Sequence, residues 1–90
     1  MAAKAKRRRV KFQVEADAQS TVSVAGTFNQ WDATRHVLKM KDGVYALNIL
    51  LAPGQYQYKF VVNNVWCVDP ECPEWAPNEY GSLNSVIDVA

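Results

Sequence analysis

One histidine, two cysteines, four glycines and no apolar run of membrane-crossing length set the first limits on this chain. A helical span needs ~18 or more consecutive apolar residues, so no membrane is expected as a partner. Nucleophilic catalysis places a base beside the nucleophile, and His36, the lone imidazole, precedes an ordinary strand-like run and reads as a surface side chain. Structural zinc takes four ligands; Cys67, Cys72 and a distant His36 do not supply them. No glycine-rich phosphate cradle is present. No cofactor and no metal are therefore expected. Charge of one sign is lacking too: ten Lys and Arg stand against nine Asp and Glu, a net charge of +1. Such a balance gives no strong overall attraction to nucleic acid or acidic lipid.

What charge asymmetry there is sits at the start. Lys4, Lys6, Arg7, Arg8 and Arg9 form the basic head "KAKRRR". A signal peptide requires an apolar stretch of ~7–15 residues behind such a head, and "VKFQVEADAQ" follows instead. The expectation is a solvated, disordered tail over residues 1–9 and one domain over 10–90. A weak nucleic-acid contact is the alternative for the tail, without aromatic interleaving to support it. Without an export signal the expected setting is cytoplasmic, where Cys67 and Cys72 stay free thiols; a disulfide between them needs an oxidising compartment and suitable geometry. A monomer is expected.

The body of the chain alternates. "VKFQVEA" sets Val10, Phe12, Val14 and Ala16 against polar neighbours, and "TVSVAG" sets Val22 and Val24 against Thr21 and Ser23. "HVLKM" places Leu38 and Met40 on one face, and "VYALNILL" places Tyr45, Leu47, Ile49 and Leu51 on one face. "QYQYKFVV" opposes Tyr56, Tyr58, Phe60 and Val62 to Gln55, Gln57, Lys59 and Val61; "VWCV" and "SVIDV" are shorter strands. Period two marks half-buried strands. Asp42-Gly43 reads as a tight hairpin turn, Pro53-Gly54 fits a type II turn, and Asn63-Asn64 is a third turn, because Asn tolerates the left-handed region. About seven short strands without a convincing helix predict an all-β antiparallel sandwich.

Two stretches do not alternate and read as loops: residues 27–35, holding Trp31, and "DPECPEWAPNEYGSL" over 69–83, holding Trp75 and Tyr80. The second carries Asp69, Glu71, Glu74 and Glu79. Paired carboxylates hydrolyse glycosides, but they need a cleft that shifts one pKa and excludes water, which a sandwich of 90 residues offers poorly; a solvated acidic loop is the simpler reading. The tryptophans are more telling. An isolated Trp ordinarily packs at a sandwich edge. Trp66, however, follows the Asn63-Asn64 turn by two positions, and Trp31 sits in the polar run "GTFNQWD". Two uncovered indoles form an apolar patch, and such patches tend to bind something. Flat aromatics flanked by amides and a lysine suit a sugar ring, whose C–H face is apolar and whose rim of hydroxyls needs donors and acceptors. Stacking ~60 Å² of each face gives about 1.5 kcal/mol, each hydrogen bond adds about 1 kcal/mol, and association costs bring the affinity to the micromolar-to-millimolar range.

In order and spacing, "VSVAGTFNQWD", "DGVYALNILLAPGQYQYKFVVNNVWCVDP" and "PNEYGSLNSVIDV" resemble the glycogen-binding domain of the AMP-activated protein kinase beta subunit and the related starch-binding domains of isoamylases and branching enzymes, carbohydrate-binding module family forty-eight. The resemblance rests on Gly-x-Phe-Asn-x-Trp, Pro-Gly-x-Tyr-x-Tyr-Lys-Phe, Trp-x-x-Asp-Pro and Asn-x-x-Gly-x-x-Asn taken together, and runs from about Val10 to Val89. It implies an early-set immunoglobulin-like sandwich that binds α-1,4-linked glucan (glycogen, starch or malto-oligosaccharides) and is not an enzyme. It further implies that Trp31, Lys59, Trp66, Tyr80, Ser82 and Asn84 hold the sugar, and that a kinase or a glycan-processing enzyme is a partner. The alternative is a scaffold sandwich that docks to such a protein and has lost the sugar. The kinase domain carries Leu where Tyr80 stands and Thr where Ser82 stands; a tyrosine offers a stacking face, which bears on preference for chain shape. Cys67 and Cys72 are not part of the motif, and Trp75 has no assigned role.

Overall fold

A computed structural model describes residues 6–90; Lys4 of the basic head lies outside them. Eight strands follow one another: β1 (Arg8–Val14), β2 (Val22–Gly26), β3 (Lys39–Lys41), β4 (Val44–Leu51), β5 (Gly54–Val62), β6 (Val65–Cys67), β7 (Trp75–Pro77) and β8 (Leu83–Val89). They form two antiparallel sheets, a three-stranded one ordered β1-β4-β3 and a five-stranded one ordered β2-β5-β8-β7 with β6 also on β5. The all-β sandwich is the expected one, without a helix among the described residues.

The alternation of β4 and β5 translates directly into a core. Phe12, Tyr45, Ile49, Leu51, Tyr58 and Phe60 are buried between the sheets, and Val10, Val14, Leu47, Tyr56 and Val62 pack against them. Aromatic edges organise the centre: Tyr58 meets Phe12 at 5.0 Å and Phe60 at 5.8 Å between ring centroids, both near-perpendicular, the geometry favoured by the ring quadrupole. The Tyr58 phenol donates to Asp69 Oδ2 at 2.7 Å. Burial, followed by that hydrogen bond and the carboxylate's charge, pushes its pKa far above the ordinary tyrosine value, so the ring stays a neutral donor.

Several local expectations change. Arg8 and Arg9 open β1, and Arg8 Nε donates to the Ala90 carbonyl at 2.9 Å, so this strand begins inside the basic head. All five residues of β2 are buried, although period two gave it one wet face. The run over 36–40 is divided between sheets: Val24 N donates to His36 O and Leu38 N to Val22 O, while Lys39, Met40 and Lys41 pair with β4. Leu38 is buried and Met40 stands exposed at the sheet edge. Pro53-Gly54 does not form a type II turn, which needs φ near +80° at the glycine; Gly54 has φ 153° and opens β5, where the chain passes from one sheet to the other. The Tyr56 hydroxyl donates to Ala52 O at 2.7 Å across this passage. Asp42-Gly43 and Asn63-Asn64 do form their turns, with positive φ at all four residues. Finally, the presumed loop over 69–83 holds β7, an edge strand whose proline stands at a permitted position. Both cysteines are free.

Candidate carbohydrate-binding groove

Register places the first side chains. Lys59 lies opposite Ala25 and Val61 opposite Ser23 and Trp66, so Lys59 and Trp66 stand on the outer face of the five-stranded sheet. Tyr58 faces the core and pairs with Ser85, which turns the adjacent Asn84 outward. The β5–β6 hairpin that presents Trp66 is anchored at its tip: Asn63 N donates to Thr21 O at 2.8 Å, and Thr21 N to Asn63 Oδ1 at 2.9 Å. Trp66 remains 45% exposed, as a residue two positions past a turn should.

The loop that carries Trp31 is built by its motif residues, each for a separate physical reason. A Cβ on Gly26 would lie 2.5 Å from Gln57 O and 2.9 Å from Tyr58 Cβ, so only glycine fits. Phe28 turns inward, 5.4 Å from the Phe12 ring. Asn29 is fully buried and serves as a template: its Oδ1 accepts from Gly26 N at 2.9 Å, and its Nδ2 donates to Val24 O at 3.1 Å and to His36 Nδ1 at 2.9 Å. His36 is therefore half-buried and structural, not the free surface histidine expected; its Nδ1 must be an acceptor, because an amide NH₂ offers only donors. Gly26 O accepts from both Asn29 N and Trp31 N. These ties hold Gln30 and Trp31 in the left-handed region, at φ 55° and 59°, a conformation that costs roughly 1–2 kcal/mol for a side-chain-bearing residue. Such strain persists only where the surroundings over-determine it, and here its result is a half-buried Trp31 turned toward Lys59 and Trp66.

The third contribution is the loop between β7 and β8. Gly81 at φ 77° lets the chain turn, leaving Tyr80 85% exposed. Lys59 Nζ donates to Ser82 Oγ at 2.7 Å. Asn84 is buried at the groove floor, where its Nδ2 donates to Gln57 Oε1 at 3.0 Å.

Trp31, Lys59, Trp66, Tyr80, Ser82 and Asn84 thus line one open groove of about 750 Å³, together with Asn78 and Glu79. All six residues singled out in the sequence come together. Asn29 and Asn78 were missed; both are loop asparagines, and the only signal for them is their fixed place in the motifs. Trp75, 60% exposed, lies outside the groove on β7. Of the four loop carboxylates, Asp69 is committed to structure, accepting from Tyr58 and from Glu71 N at 2.9 Å, and Glu79 alone reaches the groove. No group of three or more His, Cys, Asp or Glu positioned for a metal occurs among the described residues.

An immunoglobulin-like sandwich with an aromatic-walled groove on one sheet face and amides at its floor defines a carbohydrate-binding class of domain. Consistent with that class, residues 8–90 match the family model described as the glycogen recognition site of AMP-activated protein kinase, and the chain belongs to that family. It is similar to Protein FLOURY ENDOSPERM 6, chloroplastic, of Oryza sativa, 33% identical over 81 residues, covering 90% of this chain and 15% of that protein. It is also similar to the 5'-AMP-activated protein kinase subunit beta of Schizosaccharomyces pombe, 32% identical over 68 residues, 76% of this chain and 22% of the relative. The 1,4-alpha-glucan branching enzyme GlgB of Vibrio parahaemolyticus is 44% identical over 52 residues, 57% of this chain and 7% of the enzyme. The chain spans less than a quarter of the length of each of these three relatives.

Proposed function

We propose that this domain binds α-1,4-linked glucan and performs no chemistry on it. The observation that carries the reading is the convergence of two indoles, an ammonium, a hydroxyl and an amide on one open groove. Trp31 and Trp66 receive the C–H faces of glucose units. Lys59 keeps two N–H donors beyond the one given to Ser82, and Asn84 keeps one N–H beyond the one given to Gln57. Tyr80, exposed on the rim, adds a third flat face. An open groove suits a polymer that enters and leaves sideways, and the modest number of contacts suits weak, reversible attachment.

Titration of maltoheptaose followed by tryptophan fluorescence tests this directly. Saturation in the micromolar-to-millimolar range is expected; an unchanged spectrum at 10-fold higher sugar than the upper end of that range, about 10 mM, rejects it. Incubation with glycogen should release no reducing sugar.

A second reading, docking to a kinase or an amylolytic enzyme, draws support from a different face. The strands β1, β4 and β3 carry no Asp or Glu, and their outer face presents Arg9, Lys11, Lys39 and Lys41, with an exposed Leu50 opposite Arg9. That face lies on the sheet opposite the groove, so docking there and sugar binding are compatible. No helix among the described residues is long and apolar enough to cross a membrane; a cytoplasmic setting is one reading, and the rice relative's name places that protein in the chloroplast.

A further inference from the structure

We infer that Asn78 is the positioning residue of the groove's polar wall, and that it fixes Ser82 as a hydrogen-bond donor toward the bound sugar. The inference rests on the glucan-binding reading for its second half only. Five residues, 78–82, connect β7 to β8, and one side chain organises them. Asn78 Oδ1 accepts from Tyr80 N at 2.9 Å and from Ser82 N at 3.1 Å. Its Nδ2 donates to Ser82 Oγ at 3.2 Å and to Asn84 Oδ1 at 3.0 Å. All four capacities of the amide are therefore used on three groove-lining residues of this wall, Tyr80, Ser82 and Asn84.

The consequence for Ser82 follows by counting. Its Oγ accepts from Lys59 Nζ and from Asn78 Nδ2, which occupies both lone pairs and leaves its own O–H to donate. With Lys59 and the free N–H of Asn84, Ser82 makes three donor groups for sugar oxygens that accept, beside the Glu79 carboxylate, which accepts. A loop ordered in advance also avoids the entropy that a loose one loses on binding, about 1–2 kcal/mol per residue fixed. Asn78 has no competing role in the core; it is half-buried at the rim and is not a member of the hydrophobic cluster.

Two variants separate the two halves. Asn78→Ala removes all four bonds: backbone amides of Tyr80 and Ser82 should lose hydrogen-exchange protection in the free protein, and maltoheptaose affinity should fall about tenfold, ~1.4 kcal/mol, with the melting temperature kept. Asn78→Asp keeps the two acceptor bonds but replaces the NH₂ by an acceptor. Loop protection should be retained, while affinity still falls because Ser82 O–H turns toward the new carboxylate. Restored affinity in Asn78→Asp overturns the donor-fixing role. Unchanged exchange at Tyr80 and Ser82 in Asn78→Ala, or a collapse of the whole fold in both variants, overturns the positioning role. Should the wild-type domain show no sugar binding, the exchange measurement still decides whether Asn78 orders the loop, so failure of the glucan reading and failure of this one are distinguishable.

Discussion

The loop over 26–36 and the loop over 78–82 bring side chains to the same groove, and each is shaped by one asparagine, yet they differ in where that asparagine sits. Asn29 is wholly enclosed and ties the loop to β2; Asn78 lies half-exposed at the rim and ties its loop to itself and to Asn84. An unpaired polar group inside a protein costs about 1–3 kcal/mol, because water cannot replace the lost partner, whereas at the rim water can. The same amide chemistry therefore serves stability in one loop and the ready-made shape of a binding wall in the other.

The two loops should differ most under substitution in the enclosed one. Gly26→Ala would drive a methyl into Gln57 O and Tyr58 Cβ, neither of which is the end of a flexible side chain. The expected loss is about 3 kcal/mol or more, read as a shift in denaturant midpoint. Asn29→Ala should follow at about 2–3 kcal/mol, since Gly26 N and Val24 O lose their partner in a dry setting. A loss below about 0.5 kcal/mol would place Asn29 with Asn78 and erase the distinction.

Next come the indoles, where binding and stability should part. Trp31 occupies φ 59°, a conformation that glycine adopts without penalty. Trp31→Gly should lower maltoheptaose affinity by about 1–3 kcal/mol while leaving the midpoint of unfolding unchanged or slightly raised. Trp66→Ala should weaken binding to a similar degree. A destabilised Trp31→Gly would instead mean that the ring is a packing residue of its loop.

The pattern of what the sequence disclosed has the same physical root. The inward faces of β4 and β5 were legible because period two reports which side of a strand is apolar. It does not report which sheet a strand edge joins, so the division of residues 36–41 between two sheets and the passage at Pro53-Gly54 stayed hidden. Trp-Ala-Pro carries no alternation, so the letters of β7 are those of a loop. Trp31, Trp66 and Lys59 stood out in polar or turn-proximal surroundings where burial is difficult. Asn29, His36 and Asn78 did not, because an amide or imidazole in a loop has the same letters around it whether it faces water or backbone.

The smallest effect expected lies at the far end of the Trp31 loop and depends on acid. Asp32 Oδ1 accepts from Thr34 Oγ1 at 2.6 Å and from Thr34 N at 2.9 Å. The Thr34 side-chain bond first, then its backbone bond, hold the Asp32 carboxyl below the ordinary value of 3.8, against a small opposing effect of burial. A carboxylate whose pKa is lower in the folded state stabilises that state above the unfolded value and ceases to do so as pH falls through the folded one. The difference in melting temperature between wild type and Asp32→Asn should therefore be constant from neutral pH down to about pH 5 and shrink below about pH 4. Over the same range, amide protection at Thr34 should decline, while that at Tyr80 and Ser82, held by an Asn78 side chain that has no proton to gain there, should persist. A parallel decline in both loops would show that the wall opposite Trp31 draws its order from charge and not from the neutral amide.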